Sequence, residues 1–174
     1  MFKRITKQIH NRLINHKKTI AVAESCTGGQ LSNLLTSLPG ASDYFLLGAV
    51  TYSNKAKEII LDVPAKIIAK YGAVSQPVAV LMAQNIRKKV RADFGLSITG
   101  IAGPVRSGAP RRGTSNGAGP SRATPTKPVG TIYICLSVKN KNICRKFNFS
   151  GSRQSIRTKT TLSALRLLCA HLSQ

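Results

Sequence analysis

Five consecutive residues, Ser25 to Gly29, supply a hydroxyl, a thiol, a second hydroxyl and two glycines. They follow the apolar run Thr19-Ile20-Ala21-Val22-Ala23-Glu24 and precede an amphipathic helical stretch, so they form a turn able to present a nucleophile. The helix behind such a turn aims its free N–H groups back at it, which favours an anion or an oxygen gaining negative charge. Ser25 and Cys26 are the nucleophile candidates, and the glycines let a ligand approach the backbone. A simple cap by Ser25 or Thr27 would use the same residues.

The choice of base follows by elimination. His10, His16 and His171 lie near the termini, outside every polar turn, which argues against a serine–histidine pair and a histidine metal site. The acids Glu24, Asp43, Glu58, Asp62 and Asp93 are dispersed, so paired-carboxylate or magnesium chemistry is not indicated. A lysine remains, effective only if burial or nearby cations keep it neutral. Lys55 and Lys57 both qualify, and residue type alone does not choose between them.

The elements that must position these groups alternate. Residues 1–16 read as a basic amphipathic helix, with Phe2, Ile5, Ile9 and Leu13 on one face. After the turn, Leu31, Leu34, Leu35 and Leu38 mark a helix stopped by Pro39-Gly40. Residues 44–52 read as a buried strand, followed by a helix start at Ser53-Asn54-Lys55. Gly72 to Pro77 reads as a second capped helix start, with Val78, Leu81, Met82, Ile86 and Val90 facing inward. Residues 94–98 form a strand ending in a second glycine-bearing turn, Thr99 to Pro104. Residues 129–138 and 143–149 form a hairpin across Lys139 to Asn142. A final helix runs from about Ser152 to Leu172. The pattern is an α/β domain with a mixed sheet, and both polar turns fall at strand C-termini, the usual ligand side.

Composition bounds the rest. A chain of 174 residues, 42% hydrophobic, suits one domain with a sizeable core. Lys and Arg number 27 against five acids, a formal charge of +22, which makes polyanions candidate partners. With aromatics at 5% there is no stacking platform, so nucleic-acid binding is expected to be non-specific. No apolar run is long enough to span a bilayer. Cys26, Cys135, Cys144 and Cys169 include no CxxC pair and read as reduced thiols of a cytoplasmic protein. Residues 105–126, with four Arg, four Gly, three Pro and no acid, read as a flexible loop insertion.

Six blocks then occur in order: AESCTGG (23–29), TYSNKAK (51–57), GAVS (72–75), TGIAGP (99–104), KPVGT (127–131) and FSGSRQSIR (149–157). Together they resemble the nicotinamide-nucleotide amidase family, also known as the CinA C-terminal domain, over nearly the whole of residues 1–174. The resemblance implies a three-layer α/β/α sandwich, a tendency to form homo-oligomers, and no metal or other cofactor. It implies hydrolysis of the carboxamide of nicotinamide mononucleotide to nicotinate mononucleotide and ammonia, in pyridine-nucleotide recycling. The family's nucleophile falls on Ser25, with its tyrosine and lysine on Tyr52 and Lys55. Further site positions fall on Ser42, Thr99 with its neighbour Gly100, and Arg153, a partner for the substrate phosphate. N–H groups around Thr27, Gly28 and Gly29 would hold the oxyanion, and Tyr52 would relay a proton between Lys55 and Ser25. Gln76 and Ser152 stand where the family usually has Glu and Asp. A catalytically degenerate domain serving as a basic nucleic-acid or partner-binding module is the alternative.

Overall fold

In the computed structural model, which describes residues 2–103 and 127–172, a single sheet runs through the described part of the chain. Its strand β1 (Ile20–Glu24) is buried at every position. It lies parallel to both neighbours, β2 (Phe45–Val50) and β3 (Phe94–Gly100). From β3 the sheet continues antiparallel through β4 (Thr131–Val138) and β5 (Lys141–Asn148), giving the order β2-β1-β3-β4-β5. The sheet is therefore mixed, as expected.

Both faces are covered, which is why β1 is apolar from Ile20 to Ala23. Ile20 and Val22 point into a core shared with α1 (Phe2–Asn15), α2 (Gln30–Leu35) and α6 (Arg153–His171). Ala21 and Ala23 point the other way, against α3 (Asn54–Leu61), α4 (Ala65–Tyr71) and α5 (Gln76–Lys89). The small alanines let α5 sit close, while Ile and Val fill the opposite layer. The result is the three-layer α/β/α sandwich.

Several boundaries differ from the sequence reading. The hairpin turns on Lys139-Asn140 alone, because Val138 already pairs with Lys141. Residues 44–52 do not form a buried strand: β2 is an edge strand, with Leu46 43% and Val50 46% exposed. Ser75 does not cap α5 with its side chain, since its hydroxyl donates to the Gly72 carbonyl. The expected loop at 105–126 lies outside the described residues. Among the described residues no helix is long and apolar enough to cross a membrane.

Candidate active site

At the C-terminal end of β1 the chain reaches Ser25, 7% exposed. The connection out of β2 runs beside it, held by the Thr51 N–H donating to the Glu24 carbonyl at 2.8 Å. From that connection α3 begins: the Ser53 hydroxyl accepts from the Ala56 N–H at 3.0 Å and sets where the helix starts. This start fixes the helix's rotation, and with it the lysine that turns inward. Asn54, Lys57 and Leu61, three and four residues apart, form the buried face.

Lys57 is 1% exposed. Its ammonium nitrogen lies 3.3 Å from Ser25 Oγ and donates to the Thr51 carbonyl at 2.6 Å. Burial lowers its pKa from 10.5 to about 8, with the neighbouring Cys26 pulling slightly the other way. At neutral pH an appreciable fraction is therefore uncharged and able to accept a proton. Lys55 is two residues away and so on the opposite side of the helix. Its side chain is 74% exposed and lies 3.6 Å from the Glu58 carboxylate. The geometry thus corrects the expected base: the amine beside Ser25 belongs to Lys57.

Cys26 is buried at 4% exposure, and burial pushes its thiol up to about 12 despite the cationic Lys57 and Arg153 nearby. It stays protonated at neutral pH and is a poor nucleophile.

The turn itself is organised by Glu24, whose carboxylate is fully buried. It accepts from the N–H groups of Gly29 (3.1 Å), Leu31 (3.2 Å) and Ser32 (2.8 Å) and from the Ser32 hydroxyl (2.7 Å). The helix α2 has Gly29 as its N-cap, at φ 92°, where a side chain would be strained and none is present to cap. Glu24 performs the capping from the strand before. The N–H groups of α2 are consequently not open to a ligand, contrary to the sequence expectation. Gly28 N–H is also engaged, with the Ser25 carbonyl at 3.1 Å.

The remaining expected residues divide. Arg153, at the start of α6, donates to the Tyr52 hydroxyl at 2.8 Å. A Cβ at Gly103 would come within 3.2 Å of the same guanidinium. Because β1 lies between β2 and β3, a side chain reaching both Tyr52 and Gly103 passes over the end of β1 that carries Ser25. Tyr52 is 49% exposed, and the hydrogen bond its hydroxyl makes is to Arg153. One helical turn on, Arg157 donates to the Thr27 carbonyl at 2.5 Å; only its four-residue spacing from Arg153 could have marked it in the sequence. The Thr27 side chain is fully buried and its hydroxyl has no partner among the described residues. Thr99 donates to the Ala73 carbonyl at 2.8 Å, tying the loop before α5 to the end of β3. Gly100 is needed for packing: a Cβ there would lie 2.2 Å from Ile132 and 3.2 Å from the Cys26 sulfur.

Ser42 is not brought to the site within one chain. It lies in the 3-10 turn Ala41–Asp43 that precedes β2. Since Phe45 pairs with Ile20 at the start of β1, Ser42 falls at the opposite end of the sheet from Ser25. Ser152 caps α6 by accepting the Ser155 N–H at 3.2 Å, so the serine does the capping expected of an aspartate.

Comparison with known proteins gives a consistent picture. A family model described as the CinA C-terminal domain matches residues 2–116 and 113–172. A CinA-like protein of Thermotoga neapolitana is 45% identical over 162 residues, covering 93% of this chain and 36% of that protein. A CinA-like protein of Citrifermentans bemidjiense is 44% identical over 154 residues, covering 88% of this chain and 33% of that protein. The chain thus spans about a third of the length of these curated relatives. Among solved structures, the competence/damage inducible protein CihA of Agrobacterium tumefaciens superposes with a TM-score of 0.85 at 30% identity, covering 99% of this chain and 96% of that one. The competence damage-inducible protein A of Klebsiella pneumoniae does so with a TM-score of 0.85 at 25% identity, covering 99% and 98%.

Proposed function

The chain belongs to the CinA C-terminal domain family, and on that premise we propose that it is a metal-independent amidase acting on nicotinamide mononucleotide, with Ser25 as nucleophile and Lys57 as base. The observation that carries this is the 3.3 Å contact between the Lys57 amine and Ser25 Oγ, made by a lysine whose burial lowers its pKa to about 8.

In this reading neutral Lys57 takes the Ser25 proton as Oγ attacks the carboxamide carbon. The developing oxyanion needs donors, and because the Gly28 and Gly29 N–H groups are committed within the turn, the amides of Cys26 and Thr27 serve. The tetrahedral intermediate expels ammonia, which leaves with the proton held on Lys57. Water then attacks the acyl-serine, Lys57 again accepting a proton, and nicotinate mononucleotide departs as Ser25 is restored. Arg153, reaching across the mouth from α6, is the partner for the substrate phosphate.

The test is a product assay on purified protein for nicotinate mononucleotide and ammonia. Turnover is expected, with Ser25→Ala losing it by about a thousandfold or more and Cys26→Ala keeping most of it. Turnover that survives in Ser25→Ala and vanishes in Cys26→Ala would move the chemistry to the thiol.

A further inference from the structure

A second concave region lies at the other end of the sheet, away from Ser25. Here the starts of β1 and β3 meet the β4–β5 turn, and the space between them is an open cavity of about 560 Å³. Five cations from three parts of the chain line it: Lys18, Arg87, Lys88, Arg91 and Lys139. The single acid there, Asp93, is already occupied. It accepts from the Lys18 amine at 3.0 Å and from the Thr19 N–H and hydroxyl, each at 2.9 Å. Ala92, Phe94 and Val138 add an apolar wall.

The helix α5 closes with the Arg91 N–H on the Lys88 carbonyl (3.2 Å) and the Ala92 N–H on the Arg87 carbonyl (3.0 Å). This paired closure puts one residue in the left-handed region, where glycine is strongly favoured. That residue is Arg91, at φ 51°. A cation near a helix C-terminus gains from the dipole, but any position in the last turn offers that gain without the backbone strain. Lys17 and Asp62 hold the same left-handed conformation after α1 and α3, at φ 50° and 51°, so what sets Arg91 apart is that its side chain lines a cavity with four other cations.

We infer that this cavity binds a small molecule carrying several adjacent phosphates, of nucleoside di- or triphosphate size. Its volume suits such a ligand, cations converging from separate elements match a chain of phosphates, and the apolar wall gives an organic moiety a surface. The inference is independent of the amidase reading, since no residue of the Ser25 site takes part.

The experiment uses inorganic tripolyphosphate as probe, titrated calorimetrically into the intact protein at about 0.15 M salt, where diffuse attraction is screened. Saturable binding at one site is expected. Arg91→Gly should weaken it about tenfold while raising the melting temperature of the free protein by about 2–4 °C through relief of the strained φ. Lys139→Ala should weaken binding without that gain, and Lys66→Ala, an exposed cation on α4, should leave affinity unchanged. Equal losses for Lys66→Ala and Lys139→Ala would show non-specific charge attraction and overturn the site. So would absence of saturable binding, or an Arg91→Gly protein that is stabilised yet binds as before.

Discussion

At the scale of single residues, two lysines two positions apart have opposite fates, and rates should separate them. With a pKa of about 8, about a tenth of Lys57 is neutral at pH 7 and about half at pH 8. Amidase activity should therefore climb along a limb centred near pH 8 and level off above it. Lys57→Met should abolish both limb and rate, whereas Lys55→Met should leave the pH profile almost unchanged. Stability should move the other way. The Lys57 pKa is depressed from 10.5 in the fold, so protonation opposes folding fully below about pH 8, progressively less between the two values, and not at all above 10.5. Lys57→Met should be more stable by about 1–2 kcal/mol at neutral pH, after allowing for the lost bond to the Thr51 carbonyl, and that advantage should fade toward pH 10.5 in denaturant titrations. The turn that carries the proposed nucleophile was legible in the sequence because hydroxyl, thiol and glycines cluster there. Which lysine turns inward was not, because the apolar residues of α3 mislead: Ile59 is 64% and Ile60 42% exposed, while Lys57 faces the core with Leu61. Only the cap at Ser53 fixes that rotation.

At the scale of elements, the strand–turn–helix around Ser25 depends on one carboxylate serving a helix that has no side chain at its N-cap. Replacing Glu24 by Gln keeps the shape but turns an amide donor toward donors already waiting. The change should destabilise the protein by about 2–3 kcal/mol in thermal or urea unfolding. It should also raise hydrogen exchange at the Leu31 and Ser32 amides more than at β3. The strands and longer helices were readable from period and turn chemistry, as β1, β3 and α6 show. The helix α4 gave no such signal. It spans Ala65–Tyr71 behind Pro64, with Ile68 its one buried residue, so its register is set by packing on α5. Ser42 shows a different limit: its position depends on the direction of β2, which no local pattern encodes.

At the scale of the whole molecule, the two sheet edges differ. The edge strand β5 carries Lys141, Arg145 and Lys146, charges that discourage pairing with another chain. The other edge, β2, reads Phe-Leu-Leu-Gly-Ala-Val with no charge and with Leu46 and Val50 exposed. We propose this edge as the contact of the homo-oligomer that the family resemblance implies. Sedimentation should find a species larger than the single chain, and Leu46→Lys should return it to the monomer with the fold intact; an unchanged assembly would place the contact elsewhere.

The strand order has a consequence in time. The pairs of β4 and β5 are close in sequence and can zip within microseconds of being made. By contrast, Ile20 of β1 must wait for Phe94, so its second edge has no partner until more than half of the 174 residues have left the ribosome. Throughout that interval a strand that is buried at every position in the fold is synthesised but only half paired, and it is there that a slowed or crowded nascent chain would aggregate first.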